Sequence, residues 1–245
     1  MRAFALFGPI LNANNESGLP PPAKPTYPIY WGFTLRLYGS DMNKWDTRYN
    51  TEEYVFGKRP NRFLIDCAAG LAPGKALCLG EGEGRNAVYL ASLGWEVSAV
   101  DISPYGIEKA QLLARQRGVS ITTITADLND YTIAPTAWDL IITFFVHIPA
   151  EERARMHRKV IAGLRPGGTY ILEGYSPEMV RFGDRGPKEL PQRYHPEVLR
   201  AELDGLELRK VRELDRLLDE AEPELGWVAV TQVLAVKPAT GSLYK

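Results

Sequence analysis

The chain has 245 residues, 45% of them hydrophobic, which is enough to bury the core of one domain with an appendage. Its 29 basic and 30 acidic residues give a net charge of −1, so charge provides no reason to expect a nucleic-acid or anionic-membrane partner. No apolar run approaches the roughly 20 residues of a membrane span. Cys67 and Cys78 are expected to be reduced, and the three histidines lack metal-ligand spacing. We therefore expect a cytoplasmic protein, monomeric or homodimeric, without a metal site.

The N-terminal segment differs in composition from the rest of the chain. It carries Pro20, Pro21, Pro22, Pro25 and Pro28, and proline at this density resists both helix and strand. We predict a poorly ordered extension over residues 1–41, with an over-long gene start as the alternative. Residues 42–245 are predicted to form the functional domain.

Strand and helix patterns alternate from Lys75 onward. Gly94 and Gly118 are typical helix stops, and Ser103-Pro104 is typical of a helix start. Pro166-Gly167-Gly168 predicts a turn, and residues 176–193 predict a polar loop. The predicted strands are Ala76–Leu79, Trp95–Val100, Ser120–Thr125, Trp138–Phe145, Thr169–Leu172, Leu206–Leu214 and Trp227–Val236. The predicted helices are Asn86–Leu93, the segment from Pro104 to Gly118, Pro149–Leu164 and Pro196–Leu203.

This alternation predicts an α/β fold. Strands separated by helices form a parallel sheet with helices on both faces. The last two strands lie too close in sequence for a crossover helix, so they are predicted to be an antiparallel pair. The expected architecture is Rossmann-like.

A glycine-rich loop follows the first predicted strand. Gly80, Gly82 and Gly84 allow positive φ and let a ligand approach the backbone, where the free N–H groups of the next helix attract polar atoms. Glycines in this pattern also occur in turns that bind nothing. The loop by itself is therefore weak evidence for a ligand site.

Acidic residues follow the next two strands. Asp101 ends the second strand, where a carboxylate can accept both hydroxyls of an adenosine ribose. Asp127-Leu128 ends the third strand, where the acid can accept from an adenine amine and the leucine N–H can serve the ring. A plain helix-start acid is the alternative for Asp101. Taken together with the loop, the three features predict a nucleoside site.

The spacing of the glycines argues against a dinucleotide ligand. A pyrophosphate site prefers G-x-G-x-x-G, and here Arg85 stands where the third glycine is expected. The loop is better suited to a ligand with an amino-acid tail. The glycine loop, Asp101, Asp127-Leu128 and Pro166–Gly168 resemble the successive motifs of class I S-adenosylmethionine-dependent methyltransferases.

Residues before the sheet extend this resemblance. Trp45–Tyr49, Tyr54, Gly57 and Pro60-Asn61 are similar to the tellurite-resistance and thiopurine methyltransferase-like branch of the class. The family fold implies a seven-stranded sheet with an antiparallel last strand and S-adenosylmethionine as cofactor. Its implied cofactor-binding residues here are Trp45, Tyr49, Asn61, Gly80, Glu81, Gly82, Gly84, Arg85, Asn86, Asp101, Ile102, Asp127, Leu128 and Phe144.

One of these residues departs from the family pattern. Many members carry an acid at the position of Cys78 and a small or apolar residue at that of Glu81. Two roles stay open for Glu81: contact with the ammonium group of the ligand's methionyl part, or exposure to solvent.

Two residues near the ends of the fourth and fifth strands are candidate catalytic groups. His147 is a candidate base, with fixing the turn before Pro149 as its alternative role. Tyr175, with Glu173, is expected to line the acceptor pocket. The basic loop of residues 176–193 is interpreted either as a lid over an anionic acceptor or as a solvated surface.

The expected function is methyl transfer to a small molecule, with a thiol or another soft chalcogen as the acceptor that the branch suggests. A soft acceptor needs no protein base, whereas a protonated oxygen or nitrogen does. A non-catalytic S-adenosylmethionine-binding protein is the first alternative. An NAD(P)-dependent oxidoreductase is the second, which the loop spacing and the last antiparallel pair disfavour.

Overall fold

A computed structural model describes residues 43–183, 185–218 and 226–239 of the chain. The prediction for residues 1–41 lies outside these ranges. The strands are β1 Lys75–Leu79, β2 Glu96–Asp101, β3 Thr122–Thr125, β4 Trp138–Phe144, β5 Leu164–Tyr175, β6 Glu207–Leu217 and β7 Trp227–Val236. The α-helices are α1 Lys44–Tyr49, α2 Arg62–Ala68, α3 Arg85–Ser92, α4 Pro104–Gln116, α5 Ala150–Gly163 and α6 Pro196–Glu202.

The seven strands form one sheet in the order β3-β2-β1-β4-β5-β7-β6. The first five are parallel to their neighbours, whereas β7 runs antiparallel to both β5 and β6. The predicted fold class and the antiparallel pair at the end of the chain are both confirmed. None of the helices in the described ranges has the length and apolar character that crossing a bilayer requires.

The strand order places the glycine loop at a switch point of the sheet. From β1 the chain moves to β2 on one side, and it later returns to β4 on the other side of β1. The connections after β1 and β4 therefore diverge, which opens a crevice at the carboxyl ends of these strands. Ligands of open α/β sheets bind in such crevices.

Alternating side chains of β1 build two cores, one on each face of the sheet. Leu77 and Leu79 lie in a cluster with residues of α5 and α6, whereas Ala76 and Cys78 pack with residues of α2 and α3. Both clusters consist of buried apolar side chains, as expected for a sheet covered on both faces. Cys78 is fully buried, which agrees with its prediction as a core residue.

The structure corrects one predicted turn. Residues 166–168 lie inside β5, not between a helix and a strand: Leu164 pairs with Trp138, and the next pair in register is Thr169 with Leu140. The extra residues form a bulge. Hydrogen bonds of 2.8 Å between the backbone of Lys237 and that of Gly167 and Gly168 hold it. The loop of residues 176–193 also contains two 3-10 helices, Pro177–Phe182 and Leu190–Gln192.

Candidate functional site

The glycine loop connects β1 to α3 through three positive φ angles, at Gly80, Gly82 and Gly84. Gly84 is the N-cap of α3, and a Cβ there would lie 2.7 Å from the Cα of Ala110 in α4. A Cβ on Gly82 would lie 2.5 Å from the hydroxyl oxygen of Tyr49. The loop therefore requires glycine both for its backbone angles and for the close approach of its neighbours.

Asp101 ties the loop to the end of β2. Its Oδ2 accepts a 2.8 Å hydrogen bond from the Gly82 N–H, and its Oδ1 accepts one of 2.9 Å from the Ser103 N–H. Burial raises the pKa of Asp101, and these two bonds act in the opposite direction. A carboxylate has about four lone-pair sites, so each oxygen can accept a further bond from a ligand hydroxyl. Ser103 and Pro104 begin α4 as predicted.

The Glu81 carboxylate is bound within the protein, so it is not simply exposed to solvent, and its contact with a ligand's ammonium group stays a prediction. Its Oε1 accepts 2.8 Å hydrogen bonds from the N–H groups of Asn86 and Ala87, so the side chain is half-buried and caps the first turn of α3. Gly84, the N-cap, has no side chain to accept from these donors. Glu81, six residues before Ala87, supplies the missing acceptor. Burial raises the pKa of Glu81 to about 7.

A segment before the sheet covers the loop. In α1, Trp45 stacks on Tyr49 with ring centroids 5.7 Å apart, and Tyr49 meets Phe56 edge to face at 6.2 Å. The Phe56 carbonyl accepts a 3.1 Å hydrogen bond from Arg85. A cavity of about 20 Å³ remains between this segment and the loop, which is room for one or two water molecules. Its lining residues are Tyr49, Phe56, Gly57, Glu81, Glu83 and Arg85.

Sequence reasoning did not single out Glu83, although it helps to hold the cover. Its carboxylate lies 2.7 Å from the Lys109 ammonium group, and both side chains are nearly buried. The Phe56 N–H also donates to Glu83, at 3.3 Å. Within the motif, Glu83 looks like a spacer between two glycines, so its pairing with α4 could not be predicted from the sequence.

Asn61, Asn86 and Glu173 form one buried chain of hydrogen bonds. The Asn61 N–H donates to the Asn86 side chain at 2.8 Å, and the Asn61 amide donates to Glu173 at 2.7 Å. Arg216 and Gln232 also donate to the Glu173 carboxylate, which is fully buried. Glu173 is thus saturated by protein donors, so it supports the acceptor side of the site without facing an acceptor.

A lysine of α5 binds the loop after β3. Asp127 is half-buried and accepts a 2.8 Å hydrogen bond from the Asn129 N–H. The Lys159 ammonium group donates to the carbonyl oxygens of Leu128, Asn129 and Tyr131 at 3.2, 2.6 and 3.0 Å. Lys159 is a second residue whose support of the site the sequence did not reveal. Ile102, between Asp101 and Ser103, is 36% exposed.

Backbone strain marks the end of β4. Phe144 is buried in the core, and the next residue, Phe145, has a φ of 56°, which a bulky side chain rarely adopts. The kink directs the chain toward His147. The His147 Nε2 accepts a 3.3 Å hydrogen bond from the Tyr175 N–H, and its Nδ1 therefore donates to the Gln192 carbonyl at 3.0 Å.

These bonds favour the structural role of His147. Both ring nitrogens are engaged with backbone groups, and burial lowers its pKa to about 4, so the ring is neutral at pH 7. His147 stacks on Tyr175 with centroids 5.2 Å apart, and Phe145 meets the same ring edge to face at 4.9 Å. The Tyr175 side chain is half-buried, and burial raises its pKa.

Two arginines of the loop over residues 176–193 serve the fold. Arg181 pairs with Asp215 and Glu178, and Arg193 is buried and donates to the carbonyls of Pro187 and Pro177. Arg181 is half exposed, which agrees with a solvated surface, whereas the buried Arg193 fits neither interpretation of the loop.

The fold and the site define a class of protein. Residues 76–168 match the family model described as a methyltransferase domain. This segment contains the glycine loop, Asp101 and Asp127, whose placement at successive strand ends the sequence predicted. The resemblance to class I methyltransferases is confirmed, including its tellurite-resistance-like branch.

Particular relatives match over part of their length. Carboxy-S-adenosyl-L-methionine synthase of Geobacter metallireducens is 33% identical over 109 residues, 43% of each chain. The 2-heptyl-1-hydroxyquinolin-4(1H)-one methyltransferase of Mycobacteroides abscessus is 31% identical over 106 residues, 42% of this chain and 47% of the relative. The probable methyltransferase TehB of Haemophilus influenzae is 29% identical over 113 residues, 46% of this chain and 37% of the relative.

A solved structure of TehB from Haemophilus influenzae superposes with a TM-score of 0.60 at 21% identity, covering 79% of this chain and 65% of that one. At this identity the superposition shows the fold alone. The chain spans less than half the length of the curated relatives it matches.

Proposed function

We propose that the chain is an S-adenosylmethionine-dependent methyltransferase that acts on a small molecule. The observation that carries the proposal is the buried carboxylate of Asp101, bonded to the N–H of Gly82 in a glycine loop at the switch point of the sheet. This arrangement supports Asp101 as the acceptor of ribose hydroxyls beside a glycine loop. The match of residues 76–168 to a methyltransferase domain supports the same cofactor.

The residues present fit this cofactor. Asp101 has acceptor capacity left for ribose hydroxyls, and the glycine loop with its positive φ angles at Gly80, Gly82 and Gly84 lies directly beside it. We assign the adenine to the loop of Asp127 and Leu128.

The cofactor supplies a methyl group on a sulfonium, which is already activated for displacement. The protein's contribution is to position the acceptor in line with that group and to exclude water. Aromatic rings of the cover, Trp45 and Tyr49, can face the sulfonium charge. We assign the transfer point to the backbone after β4, which follows the kink at Phe145 and is fixed by His147.

The side chains at the acceptor end favour a soft nucleophile. Both nitrogens of His147 are engaged, and burial keeps the Tyr175 phenol neutral, so neither is a base at pH 7. Tyr175 can still orient an acceptor by hydrogen bonding. A thiolate or another chalcogen anion needs no base, which supports the acceptor class that the tellurite-resistance-like branch suggests. The net charge of −1 and the two free cysteines support a cytoplasmic enzyme without a nucleic-acid substrate.

Two linked measurements test the proposal. Calorimetry gives the affinity for S-adenosylmethionine, and release of S-adenosylhomocysteine is followed across small thiols, selenite, tellurite, phenols and amines. Asp101→Ala is expected to weaken cofactor binding at least tenfold. Asp139→Ala, at the opposite end of the sheet, is the matched control and should bind like the parent protein.

Each outcome distinguishes one alternative. Turnover with one acceptor class, lost in Asp101→Ala, supports a methyltransferase and names its chemistry. Tight cofactor binding without turnover on any acceptor favours the non-catalytic alternative. Binding of a nicotinamide dinucleotide without S-adenosylmethionine binding favours the oxidoreductase, and no binding of either ligand contradicts the proposal.

A further inference from the structure

A buried arginine outside the site binds the chain segment that contacts His147. Arg153 lies in the first turn of α5, and only 2% of its surface is exposed. Its guanidinium group donates to both carboxylate oxygens of Glu202 in α6, at 3.0 and 2.8 Å. Burial acts to raise the pKa of Glu202, but the hydrogen bonds from His157 and Arg153 outweigh it and hold that pKa at about 2. The pair therefore stays charged at neutral pH.

The third guanidinium donor of Arg153 binds the chain shortly before α6. Its Nη1 donates to the Pro191 carbonyl at 2.7 Å and to the Arg193 carbonyl at 3.4 Å. The carbonyl between them, that of Gln192, accepts from the His147 Nδ1 at 3.0 Å. Three successive carbonyls thus bind two side chains, the outer two Arg153 and the middle one His147. Because Arg153 binds both flanking carbonyls, it fixes the direction of the Gln192 carbonyl.

Tyr194, the next residue, connects the same segment to the ends of two strands. Its fully buried ring lies beside the Arg153 guanidinium, 5.5 Å from the ring centroid. The Tyr194 hydroxyl donates to the Val146 carbonyl after β4, and its N–H donates at 2.9 Å to the Tyr175 carbonyl at the end of β5. The ring also leaves no room for a Cβ on Gly174. Tyr194 therefore fixes the backbone after β4 and the end of β5 relative to each other.

We propose that Arg153 is a positioning residue for the methyl acceptor, and that it acts through the segment Pro191–Tyr194. The proposal rests on the proposed function, because it assumes that the acceptor lies at the ends of β4 and β5. By directing the Gln192 carbonyl at His147, Arg153 keeps that ring in its neutral Nδ1–H form. The His147 Nε2 then accepts from the Tyr175 N–H, and the two rings stack. The surface offered to the acceptor is thus ordered before the acceptor binds.

The test needs measurements that a purely structural role of Arg153 would not change. Nitrogen-15 chemical shifts of the imidazole rings report which nitrogen of His147 carries the proton, and His147→Gln identifies its signals among those of the three histidines. Calorimetry gives the affinity for S-adenosylhomocysteine. Turnover of S-adenosylmethionine is measured with benzenethiol and with tellurite as acceptors.

Four variants separate the position of the segment from the stability of the core. Arg153→Met removes the guanidinium group, and Arg153→Lys keeps the charge with fewer donors. Glu202→Gln is the matched control, because it removes the same buried ion pair and leaves Arg153 able to bind the carbonyls of Pro191 and Arg193. The double variant of Arg153→Met with Glu202→Gln keeps the test valid if the single variant fails to fold. A lone buried charge is strongly destabilising, whereas neutral replacement of both partners is often tolerated.

In the parent protein the His147 proton is expected on Nδ1. Arg153→Met and the double variant should lose this fixed form, so that the shifts of the two ring nitrogens average, and their kcat should fall about tenfold or more. Arg153→Lys should restore part of both properties. Glu202→Gln should keep the Nδ1–H form and lose less than about threefold in kcat. All four variants should bind S-adenosylhomocysteine within about twofold of the parent protein, because the segment contacts only the acceptor side of the site.

A His147 ring that keeps its Nδ1–H form in both variants without the guanidinium group overturns the proposal. An equal loss of turnover in Arg153→Met and Glu202→Gln also overturns it, because Arg153 then supports only the core. If the parent protein binds S-adenosylhomocysteine but turns over neither acceptor, the ring measurement decides alone. Failure of the parent protein to bind S-adenosylhomocysteine contradicts the proposed function itself, so the two failures are distinguishable.

Discussion

Side chains in the two halves of the site reach their partners over different distances along the chain. In the cofactor half, formed by the loops after β1, β2 and β3, Glu81 and Asp101 bind backbone N–H groups at most 19 residues away. In the acceptor half, formed after β4 and β5, His147 and Glu173 bind partners 28 to 112 residues away. The bonds of Glu81 and Asp101 are therefore local, although Glu83 of the same loop binds Phe56 and Lys109 27 and 26 residues away. The acceptor half depends on the completed sheet.

The sharpest test of this difference is Glu173→Ala. The substitution leaves Arg216 without its carboxylate and removes the acceptor of Asn61 and Gln232, all in a nearly water-free environment. Removing one partner of a buried ion pair costs about 3–5 kcal/mol. We expect a loss of that size in the free energy of unfolding, measured by urea denaturation. Glu207→Ala, which breaks an exposed pair with Arg209, should cost about 1 kcal/mol or less.

If both glutamate variants lose the same small free energy of unfolding, the acceptor half does not depend on long-range pairing. The comparison between the halves then fails. A large loss in Glu173→Ala with unchanged affinity for the cofactor in the folded protein would confirm that the halves are stabilised separately.

In the cofactor half, the largest expected effect comes from Gly84→Ala. The new Cβ would lie 2.6 Å from the Cβ of Ala110 and 2.7 Å from its Cα, and the φ of 90° is unfavourable for alanine. Strain and overpacking together should cost about 2–4 kcal/mol in unfolding experiments. Gly57→Ala is the matched control, because its φ is also positive, at 68°, while its Cβ would meet open space. It should cost only about 1 kcal/mol.

Equal costs at the two glycines would show that the backbone angle, not the approach of α4, decides the requirement at Gly84. In that case α3 and α4 have room to separate.

The same contrast explains what the sequence could predict. Gly80, Gly82, Gly84 and Asp101 were found because each sits at a fixed offset from a strand end, where backbone geometry alone sets its surroundings. The saturation of Glu173 by Arg216 could not be found, because no local pattern records which residues of β6 and β7 lie beside β5. The alternating strands and helices of the fold were predictable for the same reason as Asp101, because local sequence patterns specify them. The bulge at residues 166–168 was not, since it depends on pairing with Lys237.

A change of pH should affect the stability of the two halves in opposite directions. Burial lowers the pKa of His147 from 6.5 to about 4, so the unfolded chain takes up the proton first and stability falls as pH drops from 6.5 to 4. Burial raises the pKa of Glu81 from 4.5 to about 7, so its contribution is present below pH 4.5 and is lost as pH rises through 7. Each group contributes a slope of at most about 1.4 kcal/mol per pH unit.

Single substitutions separate the two slopes. His147→Gln should flatten the loss of stability on acidification, and Glu81→Gln should remove the loss toward neutral pH while its amide oxygen still accepts from α3. Urea denaturation of each variant from pH 4 to 7.5 provides the measurement. A pH profile that either variant leaves unchanged assigns the titration to a different group.

Lys159, like Glu83, refines the comparison, because it supports the cofactor half through long-range contacts. Its ammonium group holds three carbonyls of the loop after β3, 28 to 31 residues away, and thereby fixes the loop of Asp127 and Leu128. We expect Lys159→Met to weaken S-adenosylmethionine binding about three- to tenfold, as loss of roughly 1 kcal/mol of loop positioning implies. Lys159→Arg should restore part of that affinity.

Lys237 provides the matched control for this last and smallest effect. It also donates to carbonyls, those of Ile161 and Leu164 at 2.8 and 2.7 Å, but beside the bulge at the opposite end of the sheet. Lys237→Met should lower stability without changing cofactor affinity. An analogue that carries hypoxanthine in place of adenine provides the decisive readout, because it should lose less affinity than S-adenosylmethionine when Lys159 is replaced. An equal loss for both ligands would mean that Lys159 supports the fold in general and not the adenine site in particular.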